Sequence, residues 1–322
     1  MCKSNPYISI IVPLYNVEDY VVNSLKSIID QTYRDWQIVL VNDGSKDQSF
    51  DIACRFLNKF QVNYITIDKQ NEGPGAARRD GLLKAEGDWT IFLDSDDTIN
   101  KNMLMQYTSF IKQHNDIKVV FSDFQHVKMG EEYLEPAYDK GSKVFTQKEI
   151  QRHFLLRKPP LLLPGTLFKT SWLRERQSLF TDIRYSEDIS FLWKILMFTE
   201  NVGYFQTPLY NYLIREKSIM SSLTAEKIFS AIPTYQEIQQ QYYEKEGCEP
   251  LVRKFLFDRW IIGSMKALTH TTSFDDFRKS AKEVCFSNSC RNLLRFPDRK
   301  VQMIAGSYLI HPQLFYSIAS RI

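Results

Sequence analysis

Three carboxylates stand within four residues in the segment Asp94-Ser95-Asp96-Asp97. Carboxylates this close repel one another unless cations or hydrogen-bond donors compensate their charge. Acidic oxygen ligands suit Mg²⁺ or Mn²⁺, which commonly join protein carboxylates to substrate phosphates. On an extended strand, Asp94 and Asp96 would share one face at a spacing of about 6–7 Å. The pattern therefore predicts a cation site near bound phosphate, and the alternative is an acidic cap for the helix that follows.

Polar residues also follow three other apolar runs that the sequence predicts as strands. These segments are Pro13 to Asn16, Asn42 to Ser45 and Lys69 to Gly73. Ligands of open α/β sheets bind beyond the carboxyl ends of the strands, so we expect these segments to meet at one edge. Gly73 and Gly75 allow close backbone approach before a helix N-terminus, which suits a phosphate or a sugar. The alternative is an ordinary helix start with Pro74 in its first turn.

A second acidic pair, Glu187-Asp188, follows Tyr185-Ser186 and precedes an amphipathic segment. A carboxylate at this position can accept a proton from a substrate hydroxyl. A serine followed by acidic residues is also an ordinary way to begin a helix. Both interpretations remain open from the residues alone.

The elements that must position these groups alternate between two periodicities over the first 125 residues. Short β-branched runs are separated by segments of ten to fifteen residues with helical spacing of apolar residues. This alternation predicts βαβ units and a mostly parallel sheet, hence an α/β fold. Beyond Ser221 the pattern is helical almost throughout. We therefore predict an α/β domain over residues 5–220 and a helical C-terminal region over residues 221–322.

Charge and composition exclude several classes of protein. The net charge of +3 is too small to indicate a nucleic-acid partner. No apolar run reaches the roughly 20 residues that span a bilayer, and five scattered cysteines suggest reduced thiols. Residues 251–322 carry twelve Lys and Arg against five Asp and Glu. We expect a cytoplasmic protein whose C-terminal region is a candidate for peripheral contact with the inner face of the cell membrane; an ordinary helical region with extra Arg is the alternative.

Four segments together resemble glycosyltransferase family 2, which has the GT-A fold, an α/β/α sandwich. They are Ser9-Ile-Ile-Val-Pro-Leu-Tyr-Asn16, Val41-Asn-Asp-Gly-Ser45, Asn71-Glu-Gly-Pro-Gly-Ala-Ala-Arg78 and Phe92-Leu-Asp-Ser-Asp-Asp97. The segments occur in the family's order and spacing over roughly the first 100 residues. No single segment is specific, but the set is.

The resemblance implies a role for each matching residue. Those expected to bind the nucleotide or the metal are Pro13, Tyr15 and Asp43 at the nucleobase and ribose, Asn71, Gly73 and Arg78 along the nucleotide pocket, and Asp94 with Asp96 as the DxD motif for Mn²⁺ or Mg²⁺. Asp188 is expected to be the general base, with Glu187 at the helix start or against the acceptor. The segment Tyr210 to Met220 resembles the end of the family's catalytic domain, where Arg215 could close over the diphosphate; a basic surface loop is the alternative.

The implied activity is that of an inverting, metal-dependent hexosyl- or N-acetylhexosaminyltransferase. It would move a sugar from a nucleotide diphosphate donor, UDP-linked by preference, to a glycan or lipid-linked glycan of a bacterial surface polysaccharide. Two alternatives are a nucleotidyltransferase and a non-catalytic glycan-binding protein with a relic GT-A domain. The first would be expected to carry a Gly-rich basic loop after the first strand, where this chain has Tyr15-Asn16-Val17-Glu18.

Overall fold

The computed structural model describes residues 6–128, 140–158, 160–181, 183, 185–215, 223–244 and 248–321, with the side chains of 242–244 excepted. These residues divide into two compact units. Unit 1 contains the described residues of Met1–Ile150, Pro160–Asp182 and Glu187–Ile214. Unit 2 contains those of Gln151–Pro159, Ile183–Ser186 and Arg215–Ile322.

The described part of unit 1 contains one sheet of nine strands. They are β1 (Ile8–Leu14), β2 (Trp36–Asp43), β3 (Tyr64–Lys69), β4 (Trp89–Phe92), β5 (Thr98–Ile99), β6 (Val119–Lys128), β7 (Ser142–Thr146), β8 (Leu167–Lys169) and β9 (Asn201–Ile214). The order across the sheet is β3-β2-β1-β4-β8-β6-β9-β5, and β7 also pairs with β9. Strands β1, β2, β3, β4, β6 and β9 run in one direction, and β5, β7 and β8 run in the other. The predicted α/β fold with a mostly parallel sheet is confirmed.

Seven helices lie between these strands in the described chain. They are α1 (Val21–Ile29), α2 (Ser49–Phe60), α3 (Pro74–Lys84), α4 (Met103–Gln113), α5 (Gln147–Leu156), α6 (Thr170–Arg174) and α7 (Glu187–Ile195). Every residue of β2 is buried, and in β1 only Pro13 is partly accessible. Uninterrupted apolar strands of this kind are typical of a parallel sheet covered on both faces.

The order in which successive strands are added to the sheet reverses beside β1. Strands β2 and β3 extend the sheet to one side of β1, whereas β4 pairs with it on the other side. A crevice forms at such a reversal, beyond the carboxyl ends of the two strands. In this protein Tyr15 follows β1 and Asp94 lies just beyond β4. The topology therefore brings two of the predicted functional segments to the same edge.

The described part of unit 2 is helical apart from its connecting segments. After the end of α5, it contains α8 (Ala225–Glu244), α9 (Pro250–Leu268), α10 (Phe274–Glu283), α11 (Phe286–Leu293), α12 (Arg299–Ile310) and α13 (Pro312–Ala319). Aromatic pairs fill its core: Tyr235 stacks on Trp260 with ring centroids 4.1 Å apart, and Phe277 stacks on Phe315 at 5.6 Å. No helix in the described residues has both the length and the apolar character needed to cross a bilayer.

Candidate functional site

The acidic segment after β4 forms a tight turn. The backbone N–H of Asp97 donates to the carbonyl of Asp94 at 3.0 Å, which folds Ser95 and Asp96 into the tip. The expectation that Asp94 and Asp96 lie on an extended strand was wrong, because β4 ends at Phe92. A turn holds successive carboxylates on the loop side of the sheet edge, where a ligand in the crevice can approach them.

Asp97 anchors this turn. Its side chain is 2% exposed and accepts hydrogen bonds from the hydroxyl of Tyr210 at 2.5 Å and the backbone N–H of Leu213 at 2.8 Å. Burial, followed by the charges of Asp96 and Asp94, raises the pKa of Asp97 to about 8. Sequence reasoning gave this residue no separate role. The only hint of this contact in the sequence is Tyr210, which lies near the end of β9.

Arg78 joins the acidic turn to the second acidic pair. Its guanidinium is 4% exposed, with Nη2 2.7 Å from Oδ1 of Asp94 and Nη1 2.9 Å from Oε1 of Glu187. Burial alone would lower the pKa of Arg78, but the carboxylates of Asp94 and Glu187 outweigh it and raise the pKa. Three residues predicted from separate motifs therefore form one ionic cluster.

Asp188 lies beside this cluster in the first turn of α7. Burial, followed by the charge of Glu187, raises the pKa of Asp188 to about 7, although Arg78 opposes the shift. Protein atoms crowd the carboxyl group, yet part of the residue's surface stays accessible. A carboxylate with a pKa near neutrality is a stronger base than an ordinary aspartate, and it can still be ionised at pH 7 or above.

Asp43 holds the loop before α3 against the end of β2. Its Oδ1 accepts from the N–H of Glu72 at 3.0 Å, and its Oδ2 accepts from the N–H of Gly73 at 2.9 Å. The side-chain amide of Asn71 donates to the carbonyl of Asp43 at 3.0 Å. At Gly44 a Cβ would lie 2.8 Å from the backbone nitrogen of Asn71, so only glycine permits this approach. The structure thus brings Asp43, Asn71 and Gly73 together.

The end of β1 supplies the remaining predicted nucleotide contacts. Pro13 is in register with Val41 of β2, and Tyr15 follows with 46% of its surface exposed. An exposed aromatic ring at a sheet edge can stack on a nucleobase. Arg215 directly follows β9 and begins the last of the three chain segments of unit 2, while 216–220 lie outside the described residues. Its role at the diphosphate stays a prediction.

The carboxylates of the turn are oxygen donors of the kind that Mg²⁺ and Mn²⁺ accept. Within the described residues, no group of three or more His, Cys, Asp or Glu side chains is arranged to hold a metal ion. Magnesium commonly uses one or two carboxylates and completes its shell with substrate phosphates and water. Asp96 and Asp94 have the chemistry that such a shared site needs, and their role as metal ligands stays a prediction.

Comparison with known proteins places this architecture in a family. The family model described as glycosyl transferase family 2 matches residues 9–176, more than half of the chain. The chain belongs to glycosyl transferase family 2. The resemblance carried by the four sequence segments is confirmed, and membership argues against a nucleotidyltransferase. Glu187 and Asp188 lie beyond the matched residues, so their roles stay predictions.

Two curated relatives are much longer than the region in which this family 2 chain matches them. Glycosyltransferase GlyA of Streptococcus pneumoniae is 29% identical over 287 residues, which cover 84% of this chain and 40% of that protein. Poly(ribitol-phosphate) beta-N-acetylglucosaminyltransferase TarS of Staphylococcus aureus is 29% identical over 221 residues, which cover 66% of this chain and 37% of TarS. The chain therefore matches well under half the length of these two relatives.

The fold is also that of a solved structure. The crystal structure of S. aureus TarS 1-349 in complex with UDP-GlcNAc superposes with a TM-score of 0.70 at 22% identity. The alignment covers 98% of this chain and 88% of that one. At this identity the comparison establishes the fold, and the GT-A architecture expected from the sequence is confirmed.

Proposed function

We propose that this family 2 protein transfers a sugar from a UDP-sugar donor to a hydroxyl group of a glycan or lipid-linked glycan acceptor, with inversion at the anomeric carbon. One observation carries the proposal: Arg78 bridges Asp94 of the acidic turn and Glu187, the neighbour of Asp188. A nucleotide-binding segment and a candidate base therefore belong to one cluster, as a direct displacement requires.

The donor side of the proposal rests on the segments at the carboxyl edge of the sheet. Tyr15 offers its ring to the uracil, and the Asp43–Gly73 contact shapes the floor beside the ribose. TarS, whose fold this chain shares, has been crystallised with UDP-GlcNAc and with UDP. We therefore favour a UDP-linked hexose or N-acetylhexosamine.

A divalent cation is part of the proposal. Asp96 would hold Mn²⁺ or Mg²⁺, with support from Asp94, whose Oδ1 is already engaged by Arg78. When bound, such an ion supplies positive charge to the oxygens of the departing diphosphate. Arg78 contributes charge to the same region without depending on the ion, because its own pKa is raised.

The proposed reaction needs one base and no covalent intermediate. The carboxylate of Asp188 accepts the proton of the acceptor hydroxyl while that oxygen forms a bond to the anomeric carbon. The bond from that carbon to the diphosphate oxygen breaks, and its electron pair leaves with UDP. Attack from the face opposite the leaving group inverts the configuration. The pKa of about 7 suits Asp188 to this task.

The names of the relatives and the C-terminal charge support a proposal for the acceptor and the location. TarS is named for a poly(ribitol-phosphate) acceptor, which supports a surface polymer that carries phosphate as the acceptor class. We further propose a cytoplasmic protein that contacts the anionic inner face of the membrane through the basic residues 251–322. Two exposed apolar side chains of α12, Met303 at 74% and Ile310 at 78%, would enter the lipid surface.

Donor hydrolysis tests the proposed function without knowledge of the acceptor. The protein is incubated with single UDP-sugars, UDP-GlcNAc first, in the presence of Mn²⁺, and released UDP is measured. We expect release from at least one donor, with loss of release when a chelator is added. If every donor stays intact and none binds by calorimetry, the chain is a non-catalytic relic and the proposal is wrong.

A further inference from the structure

Basic side chains converge on one face of α9 in unit 2. A Cβ at Gly263 would lie 3.5 Å from Nη2 of Arg157 and 3.8 Å from Nη1 of Arg259. Lys266 comes seven residues after Arg259, two helical turns along the same face. Two guanidinium groups therefore face one point above a glycine, and the missing side chain leaves that point open.

These cations repel one another. Burial, followed by the charge of Arg157, lowers the pKa of Arg259 to about 10. Burial, followed by Arg157 and then Arg259, also lowers the pKa of Lys266. Asp298 opposes the shift of Arg259, but its carboxylate already pairs with Nζ of Lys158 at 2.5 Å and accepts from two backbone N–H groups. Positive charge is in excess here.

The described part of the chain offers these cations little compensating charge. Nε of Arg259 is buried without a hydrogen-bond partner, which costs folding free energy. Within the described ranges, no carboxylate forms an ion pair with Arg157, Arg259 or Lys266. Arg157 also has a φ of 53° at the end of α5, where glycine or asparagine is the usual residue. Neither local stability nor backbone conformation explains these residues, whereas a bound anion would.

We propose that Arg157, Arg259 and Lys266 form a binding site for the phosphate group of a mono- or diester. Forked guanidinium groups match the oxygens of phosphate, and an ammonium group adds a point charge. Phosphate offers several charged oxygens to three cations at once. The group could belong to a phosphate-bearing polymer or to the headgroup of an anionic lipid. Binding at this site does not depend on the sugar transfer proposed above.

Thermal unfolding of the full chain tests the site, with inorganic phosphate compared with chloride at equal ionic strength. A ligand of the folded state raises Tm, by about 2 °C or more at ten times its Kd. Arg259→Met should raise Tm in chloride, because the repulsion between Arg259 and the neighbouring cations Arg157 and Lys266 is removed, and it should lose the additional rise in phosphate. Lys266→Gln should reduce that rise. Lys254→Gln, on an exposed position of the same helix, should keep it.

UDP affinity, measured with Mn²⁺ in phosphate-free buffer, reports separately on unit 1, so a failure of this proposal can be told from a failure of the proposed function. An equal phosphate-dependent rise in wild type, Arg259→Met and Lys266→Gln overturns the site, and so does the absence of any rise in wild type. Long-chain polyphosphate and phosphatidylglycerol vesicles identify the source of the phosphate. The probe whose binding is lost in Arg259→Met, but kept in Lys254→Gln, presents the group that the site takes.

Discussion

Nη1 of Arg78 lies 2.9 Å from Oε1 of Glu187, although 109 residues separate the two in the chain. The same guanidinium also contacts Asp94, so it compensates the negative charge of two partly buried carboxylates that would otherwise repel each other. Removing one member of such a group leaves uncompensated charge in a low-dielectric region. Arg78 therefore has a structural role in addition to the one proposed at the nucleotide.

We expect Arg78→Met to lower the free energy of unfolding by about 3 kcal/mol and to abolish donor hydrolysis. Urea unfolding at pH 7 measures the first effect, and released UDP measures the second. The matched control is Arg79→Met, the next residue of α3, which is partly exposed and pairs only with Asp80 in the contacts described. It should cost less than about 0.5 kcal/mol. If the two variants lost similar amounts of unfolding free energy, the ion pairs of Arg78 would stabilise the fold no more than the partly exposed pair of Arg79 does.

Asp96→Ala should remove the dependence of UDP affinity on Mn²⁺, as measured by calorimetry with and without the ion. Stability without ligand should stay constant or rise, because the charge of Asp96 acts unfavourably on buried Asp97. Asp51→Ala, which removes an exposed carboxylate of α2, should leave UDP affinity unchanged in both conditions. Equal UDP affinity with and without Mn²⁺ in the wild type would contradict the metal assignment.

Asp188→Asn should lower sugar transfer by two or more orders of magnitude and leave UDP affinity nearly intact, because a base touches the acceptor and not the nucleotide. Glu187→Gln should have a smaller effect on turnover. A strong loss in Glu187→Gln together with normal turnover in Asp188→Asn would reverse the two roles.

The raised pKa of Asp188 also predicts a pH dependence of both activity and stability. Activity needs the ionised carboxylate, so kcat/KM should rise with pH through about 7 in the wild type. Because this pKa is higher in the folded state than in the unfolded chain, ionisation destabilises the fold as the pH rises from about 4 to about 7. Asp188→Asn should therefore raise Tm at pH 8 and change it little below pH 4. If the difference in Tm between the wild type and Asp188→Asn were the same at every pH, the pKa of Asp188 would not be raised in the folded state.

Replacing both Met303 and Ile310 by serine should weaken cosedimentation with phosphatidylglycerol vesicles at low salt. The two side chains are seven residues apart on α12 and lie on one face. Met105→Ser, at an exposed position of α4, is the matched control and should bind as the wild type does. Wild-type protein that ignores anionic vesicles at low salt would contradict the proposed membrane contact.

Most strands and helices before Phe124 could be predicted because their apolar spacing is regular and their boundaries carry Gly, Pro or Asn. Strand β5 could not, since Thr98–Ile99 is too short to show a pattern. The antiparallel β8 could not, since Leu167–Lys169 is only three residues long and follows Pro164-Gly165. Its pairing with β4 and β6 is a tertiary preference that no local pattern encodes. Strand β9 runs from Asn201 to Ile214 although Pro208 lies within it, a length that the proline would argue against.

The candidate site also contains both residues that the sequence indicates and residues that only the structure shows. Asp94 and the Glu187-Asp188 pair stand out by residue type and spacing, whereas the roles of Asp43 and Arg78 came from the resemblance to family 2. The anchoring contact of Asp97 with Tyr210 could not be found, since a buried carboxylate and an exposed one have the same letter in a sequence. The convergence around Gly263 was missed for a related reason: Arg157 and Arg259 are 102 positions apart, and only the packing of helices brings them together.

The order of the strands sets the order in which the molecule can be assembled during synthesis. The segments that contain Tyr15, Asp43, Asn71 and Asp94 are all synthesised before β8. Strand β8 must then enter the sheet between β4 and β6. Tyr210 and Leu213, which secure the acidic turn, follow Asp97 by 113 and 116 residues. Contacts so distant in sequence form late, because a long loop must close first. A chain that folds as it is synthesised therefore has β4 as an open edge, and an unsecured acidic turn, until β8 and β9 are added.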